Sequence, residues 1–527
     1  MTRMGMMNNN RAIILTPSPL HSEGSRSAFW RDTGFLELEL AHDPWLKAEI
    51  EDDREHAVSS TLLFAIYAHE QTHWIQAHAT GFGRAQNRLI QSASEVAESF
   101  FGVIDRAEVH RLLRPPAPDK RVPPVFAYRG DAGRAALGPV GVRLLDHWCA
   151  LREVGLALER GGPGVFHDNL AAFRYGLAAL YARAGPYVSE VALLSDRELT
   201  EAALSLAPAP DRKFASTVHW VTDTGLTAHA IAECAAVLNQ HFIYAYGTEY
   251  FSRYGHPQAR ERLAREHQAS WEKKADTTYG VCFGAFNSLC PEADLNSGKG
   301  LATLAIVCWL ALDGPFPPEQ PGRSRTWFDV LPALRFILLS EAVHRVGLLH
   351  VQRIIDMDVG EYDAYAAALL EACRLQRCEP YDGKQPCTDR FEDSPVNDVR
   401  RMFHKASSAG AALMRQSPAA LVLLSEALVY QTHMFDPEKP DPLLLAIRAP
   451  LALADNELVS GHADLGELAA WSVGGFYQRA LLNLLRGPCA HPWVGLPGAD
   501  EGRRLKAKAL DILQERLGYE LCVKWKA

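Results

Sequence analysis

The chain has 527 residues, of which 48% are hydrophobic, 22% charged and 9% aromatic, a globular balance that excludes disordered, collagen-like and fibrous classes. Its formal charge of −9, without any dense Lys/Arg run, leaves no footprint for nucleic acid. The longest apolar run, Leu301–Leu312, is 12 residues long, against the roughly 20 that a membrane-spanning helix needs. The opening apolar core, Ala12–Leu15, has only four residues, where a signal peptide needs roughly 7 to 15. The expectation is therefore a soluble, cytoplasmic protein with no membrane partner.

In chain order, the strand signals come first. Arg11–Pro17 is short and β-prone, and Phe35–Leu40 alternates Phe35, Glu37 and Glu39 against Leu36, Leu38 and Leu40. The texture then turns to Ala, Leu, Arg and Glu with apolar residues recurring at three and four, which is helical. The pattern predicts helices near 59–79, 84–112, 136–160, 168–185, 196–206, 222–252, 257–280, 298–312, 328–349, 360–377, 395–415, 417–435, 463–486 and 500–517. Prolines at 115–118, 123–124, 315–318 and 437–442 punctuate them. The expected fold class is mainly α, a large helical body with a short N-terminal β element. Its regions are 1–113, 126–312 and 327–527, either separate or one body. No fixed-period repeat or low-complexity tract interrupts this. Ten cysteines are too sparse for a disulfide scaffold. The cluster Cys373, Cys378 and Cys387 misses the C-x2-C spacing of a structural zinc site, so these read as scattered thiols.

The segment that carries chemistry is Thr61–Gln76, which contains His69-Glu70-Gln71-Thr72-His73. On a helix, residues four apart share a face, so His69 and His73 can present both imidazoles to one ion. Glu70 lies about 100° round, where it can serve water rather than metal. Largely apolar residues precede the motif, and Trp74 and Ile75 follow it. A helix buried on most sides makes His, Glu and His costly unless they have partners.

This segment resembles the zinc-binding helix of the zincin metallopeptidases. Over His69–Gly83, HEQTHWIQAHATGFG, it looks like a bacterial group with an HExTHxxQ-type helix followed by a Thr/Gly-rich turn. The resemblance covers about 15 residues. It implies Zn²⁺ held by His69 and His73, with Glu70 as catalytic base, and it names no substrate.

A third ligand is required. Metzincins use a later His after a Gly, but no Gly follows at that spacing and His78 is five residues past His73, on another face. Gluzincins use a Glu on the next helix, commonly about 20 residues on. Glu95 and Glu98 lie 22 and 25 residues past His73. Glu233 sits in Gly225–Leu238, an apolar, small-residue helix, with His229 on the same face. The resembling group also looks to have a downstream Glu-Xaa-Xaa-Ala helix. Glu233 is the carboxylate most expensive to leave unpaired, and it is the expected ligand ahead of Glu95 and Glu98. The bland alternative is a core carboxylate paired with Arg. For an oxyanion donor the candidates are His229, His241, Tyr244 and Tyr246, with His229 first because it shares the Glu233 face.

Two further acids stand in apolar helices: Glu341 in Ser340–His344, which forms E-x-x-H, and Glu426. With Glu70/His73 and Glu233 they could fill a four-helix di-iron template, although that leaves His69 without a role. Ser340-Glu341 also reads as an ordinary helix start. Gly81-Phe82-Gly83 and Ser297–Gly300 complete no nucleotide-binding motif, and no G-x-S-x-G occurs. The favoured expectation is a zinc-dependent hydrolase acting on a peptide or protein. The alternatives are a di-iron oxidoreductase, or a helical interaction protein with a structural metal. Oligomeric state is left open.

Overall fold

The computed structural model describes residues 28–30, 35–38, 53–105, 131–160, 220–221, 224–275, 278–315, 331–350, 359–378, 405–410, 451–454, 457–461 and 500–517, with isolated positions at 412, 473, 477 and 481. This part is mainly α-helical. Its helices are α1 (Asp53–Ala79), α2 (Gly81–Val103), α3 (Asp131–Arg160), α4 (Ala228–Arg253), α5 (Pro257–Ala275), α6 (Thr278–Leu289), α7 (Gly298–Leu312), α8 (Pro332–Val346), α9 (Val359–Cys373) and α10 (Asp500–Leu517). A small sheet, ordered β1 (Ala28–Trp30), β2 (Phe35–Leu38), β3 (Leu451–Ala454), β4 (Glu457–Gly461), has antiparallel outer pairs and a parallel β2–β3 contact. β1 and β2 lie beside α1.

Three helices are buried all round over long stretches: α1 from Ala68 to Ala79, α4 from Ala230 to Gln240, and α7 from Gly300 to Leu312. Helices enclosed on every side belong at the centre of a helical body, and the polar residues that α1 and α4 carry there, among them His69, Glu70, His73 and Glu233, are buried with them. α4 is the hub, packing on α1, α5, α6, α7 and α8. One hydrophobic cluster runs from Trp74 in α1 to Leu513 in α10. A satellite cluster of Val58, Leu62, Ala65 and Ala68 against Ile243, Tyr244 and Leu263 pins the first half of α1 to α4 and α5. No described helix is long and apolar enough to cross a membrane.

Several boundaries differ from the sequence pattern for local reasons. The expected 222–252 helix begins at Ala228, because Gly225 adopts φ +69 and Thr227 caps the helix by accepting from the Ala230 N–H. The expected 257–280 helix is two helices, α5 and α6. α3 kinks at Gly138, φ 68, just before Pro139. α8 is bounded by Pro332 at its start and by Gly347, φ 94, at its end. The expected helices at 168–185, 196–206 and 417–435, nearly all of those at 395–415 and 463–486, and the Arg11–Pro17 strand lie outside the described residues. So does Cys387; Cys373 and Cys378 form no disulfide, and Cys378 Sγ accepts from Arg84 Nη2 at 2.7 Å.

The turn from α1 into α2 is unusually tight. Thr80 is the only residue between them; its hydroxyl donates to the Gln76 carbonyl at 2.7 Å and accepts from the Gly83 N–H at 3.0 Å. A Cβ on Gly83 would stand 2.1 Å from the Gln76 carbonyl oxygen, and one on Gly81 would stand 1.9 Å from that of Gly314. Only glycine lets α2 start this close to the last turn of α1.

Candidate metal centre

The site forms where α1 crosses α4. His69 and His73 stand one turn apart on α1, their ring centroids 5.0 Å apart with the rings nearly perpendicular. Glu233 projects from α4 between them. Its Oε2 is 3.3 Å from His69 Nε2 and its Oε1 is 3.4 Å from His73 Nε2. One donor atom from each of the three residues lies within 4.8 Å of the others, the one such group of His, Cys, Asp or Glu among the described residues. All three residues are buried, Glu233 to 1% exposure.

Burial and charge oppose each other here. Burial favours a neutral Glu233, yet the imidazoles of His73, His69 and His229 outweigh it and hold the carboxyl well below its ordinary range. Burial likewise works against a charged His73, and the Glu233 carboxylate overrides it, helped by Glu70 and Gln76, so that its pKa is raised. Glu70 is itself 2% exposed. It lies outside the donor group but close enough for its charge to act on His73.

One α1 side chain, Gln76, orders a donor, and a second, Thr72, ties α1 to α4. His73 Nδ1 lies 3.1 Å from Gln76 Oε1, and Gln76 Nε2 donates to the Ala232 carbonyl at 3.0 Å. Further along, Asn239 Nδ2 donates to Thr72 Oγ1 at 3.3 Å, and Thr72 donates to the Ala68 carbonyl at 2.7 Å.

The donor set suits a small cation. Both Glu233 oxygens and His73 Nε2 are buried, and beyond the imidazole–carboxylate contacts within the group none has a hydrogen-bond partner among the described residues. Buried polar atoms in that state are uncommon without a ligand to complete them. Two imidazole nitrogens and one carboxylate are a set that zinc accepts while keeping a position for water.

Of the sequence-predicted residues, the structure brings together His69, His73 and Glu233, with Glu70 beside them. His229 Nδ1 is 3.9 Å from Glu233 Oε1, and its side chain is 23% exposed. Glu95 and Glu98 lie on α2 and do not join the group. His78 faces elsewhere, its Nδ1 3.4 Å from Ser407 Oγ and its ring against Trp74. His241 and Tyr244 belong to a separate cluster: His267 Nε2 is 2.7 Å from His241 Nδ1, and Tyr244 stacks on His267. Tyr246 is buried in the main core.

Among the described residues the di-iron template is not assembled. Glu341 is exposed, and His344 sits at the surface with its Nδ1 2.6 Å from Glu292 Oε1. Glu426 lies outside the described residues. The helix-start reading of Ser340-Glu341 is also corrected. Both lie within α8, where Ser340 donates back to the Phe336 carbonyl at 2.8 Å.

Compared with family models, curated proteins and solved structures, the chain matches none. Its chemistry is therefore read from its own geometry.

The structure adds one residue that the sequence did not mark and gives a contact to another that lay within the motif. Tyr279, near the start of α6, is 3% exposed and sets its ring edge-on to His69, the centroids 6.1 Å apart. No motif surrounds it; only the packing of α6 on α4 brings it there. Gln76 stands three residues after His73, one helical turn on, a spacing at which a side chain can reach back to the ring.

Proposed function

We propose that the chain is a zinc-dependent hydrolase, a metallopeptidase acting on a peptide or protein. The observation that supports this is the convergence of His69, His73 and Glu233 in a buried site with a fourth group, Glu70, next to it but outside the donor set. A structural zinc site fills its coordination with protein ligands, commonly Cys and His, whereas a catalytic one takes three and leaves a position for water.

Zinc bound by His69, His73 and Glu233 would supply Lewis-acid polarisation of a carbonyl and a more acidic water. The chain's own side chains do the rest. Gln76 holds the His73 ring, and Glu233 spans the two imidazoles. Glu70 accepts a proton from the attacking water and returns it to the leaving amine. His229 is on the partly exposed side of Glu233, where an incoming carbonyl would meet it, and it acts as a donor to the developing oxyanion. Tyr279 walls the His69 side and excludes water there.

Metal analysis of the wild type beside His69→Ala and Glu70→Gln tests the reading. The expected result is about one zinc per chain in wild type and Glu70→Gln, with none in His69→Ala. Hydrolysis of a mixed peptide library should follow in wild type and be lost in Glu70→Gln. A well-folded wild type that takes up no zinc, or a Glu70→Gln enzyme as active as wild type, would overturn the proposal.

A further inference from the structure

We infer that Gln76 is a positioning residue that fixes which nitrogen of His73 faces the metal, taking its direction from the backbone beside Glu233. The inference rests on the zinc reading above and concerns how the site is held.

The argument is one of hydrogen-bond direction. A backbone carbonyl can only accept. The Ala232 carbonyl is 3.0 Å from Gln76 Nε2, so the amide NH₂ must face it. That leaves Gln76 Oε1, also an acceptor only, 3.1 Å from His73 Nδ1. Nδ1 must therefore carry the hydrogen. The neutral ring then has its lone pair on Nε2, the nitrogen that stands 3.4 Å from Glu233 and has no other hydrogen-bond partner among the described residues. No free choice remains in the chain from peptide group to amide to imidazole. Each link is buried: Gln76 is 4% exposed and His73 1%. A reversed amide would set two acceptors face to face in a water-poor site.

The relay also joins the ligands to each other. Ala232 immediately precedes Glu233, so the peptide group next to one ligand orients the other through a single side chain. A shift of α4 against α1 would displace Glu233 and release His73 together. The Asn239–Thr72 contact ties the same two helices without touching His73, which makes it the internal control. Metal-binding His residues commonly rely on such an outer partner, whose loss costs about 10- to 100-fold in metal affinity.

The test is zinc affinity, measured by competition with a chromophoric chelator, in wild type, Gln76→Leu, Gln76→Glu and Asn239→Ala. Circular dichroism and thermal melting of each zinc-free protein check folding. Gln76→Leu should weaken zinc binding by about 10- to 100-fold. Gln76→Glu keeps an acceptor for Nδ1–H but sets a second acceptor against the Ala232 carbonyl, so its affinity should fall between those of wild type and Gln76→Leu. Asn239→Ala should leave affinity nearly unchanged. A Gln76→Leu protein that binds zinc like wild type overturns the inference while leaving the hydrolase reading intact. An equal loss in Gln76→Leu and Asn239→Ala overturns it too, since helix loosening would then account for both. A folded wild type without zinc affinity removes the hydrolase reading itself, and the inference with it.

Discussion

Glu233 is a carboxylate with two imidazoles within 3.4 Å and 1% of its surface in contact with water. Its charge is sustained by those rings, so replacing the acid changes them as well. Glu233→Gln preserves shape and removes the charge that raises the His73 pKa. The variant should fold, bind no stoichiometric zinc, and titrate His73 at lower pH than the zinc-free wild type, measured by histidine NMR. Tyr279 supports a different expectation. It touches the His69 ring but is outside the donor group. Tyr279→Phe should therefore retain zinc in full, read by metal analysis. At this scale the sequence was partly legible. His69, Glu70 and His73 share one turn, so helical periodicity alone places them. Glu233 could be named because an acid in a run of Ala, Ile, Val and Leu has to be accounted for. Tyr279 could not, because its contact with His69 spans 210 positions (279 − 69) and no local pattern encodes it.

Among the elements, the tightest requirement falls on the α1–α2 turn. Gly83→Ala would drive a Cβ to 2.1 Å from the Gln76 carbonyl oxygen, a backbone atom that cannot rotate away. The expected cost is about 1–3 kcal/mol, the range seen for overpacking, measured by denaturant unfolding. Because Gln76 is on the displaced turn, zinc affinity should fall as well. A second element-scale device is Arg335 in α8, fully buried, which donates from Nε and Nη2 to the Leu310 and Ala311 carbonyls at the end of α7. These are terminal carbonyls that α7 cannot satisfy itself, and a cation there also suits the helix dipole. Arg335→Met should destabilise by about 3 kcal/mol by leaving buried carbonyls without a donor. The central helices were readable from composition, and the apolar run Leu301–Leu312 forms a buried helix. Their ends were less so. The start of α4 depends on Gly225 taking positive φ and on Thr227 capping. Ser340 looked like a cap because Ser-Glu is common at helix starts, whereas here its hydroxyl is spent within the helix.

For the whole molecule, the clearest pH dependence comes from His147 on α3. Burial lowers its pKa from 6.5 to about 4. In the unfolded chain it takes up a proton as pH falls through about 6.5, while the folded protein resists until about pH 4. The unfolded state thus binds more protons across that window, and stability must decline as pH drops from about 6.5 to 4. The loss attributable to this residue is about 3 kcal/mol, from 1.36 kcal/mol per unit over that shift. His147→Gln should flatten this part of the stability–pH curve, followed by chemical denaturation at pH 7, 5.5 and 4.5. Zinc acts on the same global equilibrium. At a free concentration of about 100 times its Kd it should stabilise the fold by about 2.7 kcal/mol, raising Tm in wild type and leaving Glu233→Gln unmoved.

The separation of the ligands along the chain has a temporal meaning. His73 and Glu233 are 160 residues apart (233 − 73). At a synthesis rate of about 5–20 residues per second, both imidazoles leave the ribosome roughly 10 to 30 seconds before the carboxylate that completes the site. During that interval α1 awaits α4, and the imidazoles of His69 and His73 lack the Glu233 carboxylate. Metal capture is thus tied to the docking of α4. A nascent chain stalled before Glu233 should hold zinc no better than a two-histidine peptide, and it should expose a surface that a chaperone would recognise.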